Sequence, residues 1–424
     1  MPAPQSPLDP KSPRRPPGRF GALVAATGPA FLIMAFLSRL PSAMAPLGLI
    51  TLVVQVTGSY AQAGAVTAAL GVGAAAGGPV VGFLSDRMGQ RSIGLLAAIT
   101  NAAALAITVF AVVSHAATAV VVILAALIGL STPQIGPLVR VRWVALLTGR
   151  GGSISTAMSY EGAVDEASFV AGPALVGILA LTGIPALPLT VAAVLTLLAA
   201  VPFALHRTAV GQAHRSASGH REPLPMRALV VLIAAMAGVG MVFGGTQTGV
   251  SAFAESIHQG GAAGLIYAVL GVGSALAGFG TAYLPARFRL PLRLPLFAAA
   301  LLGGTLTLLA VSNLATAMVA MALLGVTAAP VLVTVYALAE KLAPAGRTGI
   351  VMTLLASGVV GGVALGAGIA GPLAGAYGYA GAFAVPIVAG LVTLLVAALG
   401  APAVVPPRTR RSRPARELAG SLHA

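Results

Sequence analysis

Three of the nine acidic residues, Glu161, Asp165 and Glu166, fall inside one otherwise apolar stretch, 154–181. On a helix Glu161 and Asp165, four residues apart, share a face, while Glu166 is turned roughly 100° from Asp165. Carboxyls in such surroundings can carry a proton or bind a cation, and ionisable groups at these places point to function. Glu161 has a second reading: near the rim, it can pair with Arg140 or Arg142 at the end of the 117–144 stretch. One cation, Arg39, sits within an apolar stretch of its own, 24–56. A guanidinium there needs a carboxylate or a wet cavity. Other chemistries are excluded. The chain has no cysteine, so thiol nucleophiles, disulfides and cysteine metal sites are absent. All six histidines fall in predicted loops or tails, which argues against a histidine proton relay. There is no Walker sequence, two-histidine zinc spacing, nucleophile elbow or convergent catalytic set, so no enzyme and no ATP-driven step is expected.

The elements that position these groups are membrane-spanning helices. Hydrophobic residues make up 58% of the 424 and charged residues 8%, against about 25% charged in a soluble domain. Twelve apolar stretches of about the length a bilayer needs are placed at 24–56, 61–84, 93–114, 117–144, 154–181, 185–205, 228–254, 261–284, 293–312, 314–339, 348–375 and 379–403. They are long and do not alternate in polarity, which favours helices over a barrel. Apart from Arg39, the 24 Lys and Arg residues lie in the two tails or in every second gap. This alternation puts both termini in the cytoplasm of a multi-pass protein of the inner or plasma membrane. The net charge of +15 therefore reads as helix orientation and contact with anionic lipid at the cytoplasmic face, not as nucleic-acid binding. Residues 1–20 read as a disordered basic cytoplasmic tail without a signal-peptide cleavage site, and 405–424 as a second basic tail. The polar stretch 206–226 is a cytoplasmic linker between six-helix bundles at 21–205 and 227–404.

The two bundles are copies. Residues 63–87 align without gaps on 263–287, sharing Ala63/Ala263, Gly64/Gly264, the LGVG of 70–73 and 270–273, Gly78/Gly278 and Arg87/Arg287. The Ala-Gly-Pro of 171–173 recurs at 370–372. An even number of spans separates the copies, so they share one orientation about an axis along the membrane normal, as transporter halves do. The acids have no counterparts: Val360, Ala364 and Leu365 stand where the first copy has Glu161, Asp165 and Glu166. Their task is private to the first half.

Between the second and third spans the chain reads Gly82-Phe-Leu-Ser-Asp86-Arg87-Met-Gly89-Gln-Arg91. This resembles the G-x-x-x-D-R-x-G-x-R loop of the major facilitator superfamily. Gly82 would let another helix approach closely, as would Gly73/Gly77 and Gly78/Gly82 as packing faces. Gly89 would allow a tight turn, and Asp86, Arg87 and Arg91 could form charge-assisted bonds at the rim. The resemblance implies an all-α fold of two six-helix bundles working by alternating access. It further implies a latch in which Asp86 faces the start of span eleven, near Arg347 to Ile350. The second copy has Ala282 and Ala286 in place of Gly82 and Asp86, so the latch would be one-sided. The family sets spans one and five side by side, which makes Asp165 or Glu166 the expected partner of Arg39. Spans one, four, seven and ten would line the cavity, with Gln134 and Gln247 as polar contacts. Pro41, Pro46, Pro133, Pro137 and Pro330 would bend those spans. Gly238, Gly240, Gly244 and Gly245 of span seven would make a flexible wall.

The function expected from these readings is proton-coupled efflux of a small amphipathic compound by a monomer, with the proton gradient as energy source and no bound cofactor. Uptake or facilitated diffusion of a metabolite is the alternative within transport. A non-transporting sensor would usually add a soluble domain, for which the span pattern leaves no room.

Overall fold

In the computed structural model the described residues are 21–147, 154–210, 225–281, 288, 290–343 and 348–404, and all regular structure among them is helical. Among the described residues, eleven apolar runs are long enough to cross a bilayer. The last, Thr348–Gly400, is two helices joined at Gly378, whose φ of 65° and ψ of −160° break the helix. The chain therefore crosses twelve times, and it is a multi-pass membrane protein. The crossings are Pro29–Thr57 (span one), Tyr60–Ser85 (two), Gln90–Val113 (three), Thr118–Leu147 (four), Ile154–Ala180 (five) and Leu187–Leu205 (six) in the first half. In the second they are Met226–Ser256 (seven), Ala263–Thr281 (eight), Leu290–Ala310 (nine), Leu314–Leu342 (ten), then 348–377 (eleven) and 379–400 (twelve).

Two crossings are interrupted where the chemistry lies. Span one consists of Pro29–Leu37 and Leu40–Thr57, with Arg39 in the break and Pro41 opening the second helix. Span four consists of Thr118–Leu130 and Ile135–Leu147, divided at Pro133. A proline removes a backbone donor and crowds the preceding turn, so the ladder stops there. Pro46 and Pro330 lie inside helices that continue through them. Leucine, isoleucine and phenylalanine such as Phe110, Ile123, Leu198 and Leu309 face outward, each more than two-thirds exposed. Lipid is as apolar as they are, so close contact of small residues holds the interior instead. A Cβ on Gly73 would come within 3.0 Å of the Leu130 backbone, and one on Gly273 within 3.2 Å of Val326, so spans two and four pack as spans eight and ten do.

The halves meet along spans two and eleven and along spans five and eight. A Cβ on Gly64 would lie 2.9 Å from Gly371 Cα, and one on Gly71 3.0 Å from Ala364 Cα. One on Gly271 would lie 2.7 Å from Val170, and one on Gly177 would lie 3.1 Å from Gly264 Cα. All these contacts belong to the ends remote from the first and last described residues. Toward the tail-bearing side the same four helices carry Gly82, Gly162, Gly280 and Gly361, and nothing lies within 4 Å of a Cβ at any of them. The halves therefore close at one end and splay at the other. Gly82 admits no neighbouring helix in this arrangement, and Gly78 meets only the Gln134 side chain, at 3.6 Å. The packing face expected of Gly78/Gly82 is thus absent here because these positions border the gap. Gly73/Gly77 do form one. The span-seven glycines are not a flexible wall: Gly240 and Gly244 seat the span-eleven backbone, while Gly238 and Gly245 seat Thr393 and Pro386 of span twelve.

Candidate functional site

Spans one, four and five converge on a network of four charges and one indole. The broken turn at Arg39 frees its side chain to reach across to span five. Its Nη1 donates to its own helix at Ala35 O (2.8 Å), its Nε to Asp165 Oδ1 (2.9 Å) and its Nη2 to Glu161 Oε2. The other Glu161 oxygen accepts from Trp143 Nε1 of span four at 2.7 Å. The other Asp165 oxygen accepts from Arg140 Nη2, also of span four, at 2.6 Å. Arg140 and Trp143 stand three residues apart and Glu161 and Asp165 four apart, so each pair presents neighbouring side chains from one helix face. Phe31 of span one meets the Trp143 ring edge-on at 5.7 Å and fixes its plane. Gly136 leaves the necessary room: a Cβ there would lie 3.2 Å from Arg140 Nη1 and 3.6 Å from Asp165 Oδ1.

Burial divides the network. Glu161 is 0% exposed and Arg39 6%, whereas Asp165 is 31% and Arg140 39% exposed. An ion pair removed from water is retained only when its hydrogen bonds are complete, and every oxygen of the two acids is occupied. The four charges sum to zero. Both acids thus face Arg39, and Arg140 pairs with Asp165, not Glu161. The Glu166 side chain lies outside the described residues, as does that of Asp86 together with the Arg347 to Ile350 segment.

Arg39 is not the only interior cation. Arg142, read from sequence as a loop charge and a possible partner of Glu161, is fully buried at the end of span four. Its Nε donates to Gln90 Oε1 (2.8 Å), its Nη1 to Phe203 O (2.9 Å) and Thr208 Oγ1 (3.3 Å), and its guanidinium lies 3.9 Å over the Phe203 ring. An amide, a carbonyl, a hydroxyl and an aromatic face hold the planar head without a carboxylate, although its buried Nη2 has no hydrogen-bond partner among the described residues. Beside it His206 Nδ1 lies 3.0 Å from Thr208 Oγ1. Burial first, then the Arg142 and Arg207 charges, hold the His206 pKa below its usual value.

In the loop after span two, Gly89 turns the chain at φ 87°. Arg87 is exposed with its guanidinium 4.3 Å from the Phe83 ring centre, and Arg91 Nη2 donates to Leu205 O at 3.2 Å. Gln134 donates to Thr132 O at 3.1 Å beside Gly78. Gln247 lies elsewhere, buried in span seven against Tyr267 of span eight, and its Oε1 has no hydrogen-bond partner. The structure does not bring Gln247 or the loop arginines to the Arg39 network. Sequence reasoning offered Arg140 only as a rim partner of Glu161 and missed Trp143 and Gly136 as members of the site. The signal was available in the four-residue step from Gly136 to Arg140 and the three-residue step to the single tryptophan.

No curated protein sequence matches the chain. Solved structures resemble it at low identity. The nucleoside transporter NupG, in a variant form, superposes with a TM-score of 0.69 at 15% identity, covering 88% of this chain and 99% of that one. A bacterial homologue of the human lysosomal transporter Spinster, in an inward-facing and occupied conformation, gives 0.65 at 16%, covering 92% and 97%. The human organic anion transporter MFSD10 (TETRAN) gives 0.59 at 18%, covering 87% and 99%. At these identities the likeness shows the fold. The family model described as Major Facilitator Superfamily matches residues 31–349. Together with the twelve helices in two packed halves, this match establishes that the chain belongs to the Major Facilitator Superfamily, a membership that points to a transporter.

Proposed function

We propose that the chain is a proton-coupled secondary transporter that moves a small molecule by alternating access between its two halves, with Asp165 taking the proton. One observation carries the reading. Asp165 is paired to two arginines yet 31% exposed, whereas both oxygens of the 0% exposed Glu161 are held. A proton arriving from the open side meets Asp165 first, and neutralising it loosens spans one, four and five from one another. The energy comes from the proton gradient, and the proton moves on and off a side chain, so no cofactor is required. In this reading the open side faces the cytoplasm of the cell membrane, against anionic lipid, which the alternation of basic loops and tails supports, and a monomer suffices. Efflux of an amphipathic compound in exchange for protons is one cycle such a carrier can run. A second reading, uptake of cargo together with the proton, is favoured by the pairing, since neither Glu161 nor Asp165 has an oxygen free for a cationic cargo.

A growth-inhibition panel with and without the gene, repeated with an uncoupler, identifies cargo and direction. In vesicles, Asp165→Asn should then abolish flux driven by a pH gradient while exchange of cargo for cargo continues, and Glu166→Gln runs alongside. Unchanged pH-driven flux in Asp165→Asn removes that residue from coupling.

A further inference from the structure

We infer that the cargo carries a negative charge, as a carboxylate, sulfonate or phosphate, and that Arg140 receives it once Asp165 is protonated. The inference rests on the protonation of Asp165 proposed above and adds the cargo class. It follows from how the four charges are shared. Arg39 is held by both acids, so when Asp165 becomes neutral it keeps Glu161, whose remaining oxygen is fixed by Trp143. Arg140 keeps nothing comparable: among the described side chains, Asp165 is its one carboxylate partner. Protonation therefore leaves a single uncompensated guanidinium, 39% exposed, on the open side of span four. An unpaired cation within a membrane protein is costly and attracts a counter-charge, and the planar fork of arginine fits carboxylate and phosphate oxygens two at a time.

The competing cargo classes fit worse. A cation would have to displace two guanidiniums from Asp165 and then sit between them. A neutral molecule would leave the Arg140 charge uncompensated. The other groups around Asp165 do not change this count. Span one presents Arg39, span four Arg140 and its own helix Glu161, while spans six and eight present no charged side chain among the described residues. Gly136 fits the same role, since it clears the space in which the Arg140 head would swing from Asp165 to the incoming anion. In the step itself a proton from the open side binds Asp165 Oδ2, the Arg140 Nη2 bond to that oxygen breaks, and a cargo oxygen takes its place. Proton and anion then cross together without net charge.

The test follows the Arg140 guanidinium and needs no knowledge of the natural cargo. Purified protein is labelled with phenylglyoxal, and modification of Arg140 is read by peptide mass spectrometry relative to the exposed Arg87. In Asp165→Asn the ratio should rise about fivefold, the weight of a half-exposed ion pair. It should fall back with 1-naphthoate but not with the matched naphthamide or naphthylmethylammonium. Equal labelling in wild type and variant overturns the inference, as does protection by the cation, by the amide, or by none of the three. Unchanged pH-driven flux in Asp165→Asn, together with anion protection of Arg140 in that variant, would keep the anion site and sink the proton reading. If Asp165→Asn fails to fold, Asp165→Ser, taken through the same labelling with the three naphthyl probes, decides in its place. Glu166→Gln, run through the same labelling, should leave the ratio at the wild-type value. A rise equal to that of Asp165→Asn would assign the counter-charge of Arg140 to the wrong acid.

Discussion

Where Gly73 of span two meets the span-four backbone at Leu130, Gly273 of span eight meets the span-ten backbone at Val326. The scaffold repeats at that crossing; the charge does not. Carried at the offset of 200 residues, Arg39 falls on Val239 and, at 199, Asp165 falls on Ala364, and both counterparts are buried apolar residues. In the other direction Gln247 and Tyr267 of the second half correspond to Leu47 and Thr67, and Thr67 spends its hydroxyl on its own helix at Ala63 O (2.8 Å). One half thus holds ionised groups and the other a neutral polar pair, on helices that pack alike. Packing by small residues is indifferent to what stands on the remaining faces, so a duplicated fold can specialise one copy without rebuilding its contacts. The difference teaches that, among the described residues, buried ion pairing belongs to one bundle, while the second repeats its packing without it.

The largest test of that division is to break the buried pair. Arg39→Leu leaves Glu161 charged and unpaired in a site with no exposure, which should cost about 3–5 kcal/mol and show as a collapse of the thermal midpoint in detergent. Val239→Leu, one added methylene in a packed interior, should cost less, about 1–3 kcal/mol. Equal losses at the two positions would mean that the halves depend on these sites alike, and the comparison would fail. A sharper version removes the whole pair. Arg39→Leu with Glu161→Met and Trp143→Phe eliminates both charges and the indole donor that would otherwise be orphaned. Replacing a buried ion pair by apolar residues is often neutral or stabilising by about 1–4 kcal/mol, so the midpoint should recover toward wild type while pH-driven transport stays lost. A triple variant that still couples would take the Arg39–Glu161 pair out of the mechanism.

The fold was legible in the sequence because its determinants are distributed. Twelve apolar stretches, alternating basic loops and two repeated glycine patterns each fix topology over many residues, and no single substitution would have hidden them. The site was only partly legible. Glu161, Asp165 and Arg39 stood out because acids and a cation are rare in such stretches. Arg140 and Arg142 looked like loop charges, since the positive-inside pattern absorbs any arginine near a span end. Only three-dimensional placement separates Arg140, turned to Asp165, from Arg142, two residues on and facing Gln90 and Phe203. The gap at Gly82 and Gly162 was invisible for a different reason: it belongs to one conformation, and glycine spacing reads the same whether a partner helix is present or has swung away.

A smaller effect probes the neutral half. The Gln247 Oε1 is buried without a partner, but the amide bonds the buried Tyr267 hydroxyl, so Gln247→Leu leaves that hydroxyl unpaired and should cost about 1–3 kcal/mol. Transport should persist if recognition rests with Arg140. Loss of transport at unchanged stability would move part of cargo recognition into the second half and weaken the contrast drawn above.

The smallest effect lies at the tail-side end of the first half, where His206 sits 5.2 Å from the Phe31 ring and beside the buried Arg142. Its pKa is lowered, by burial and then by Arg142 and Arg207. The unfolded chain therefore binds a proton at this ring at a higher pH than the native state does. Stability contributed by the neutral ring is complete above the ordinary histidine value of about 6.5 and is lost as the pH falls through the native value. His206→Gln should flatten the acid side of the thermal-midpoint profile below about pH 6.5 and leave the midpoint at higher pH nearly unchanged, a difference of about a degree or two. At the matching end of span ten, Glu340 and Lys341 are both exposed and surrender no solvation on folding. Lys341→Gln should accordingly leave the acid slope as it is. A slope altered by Lys341→Gln but not by His206→Gln would place the pH-sensitive end of the molecule in the second half, against the whole distribution of buried charge.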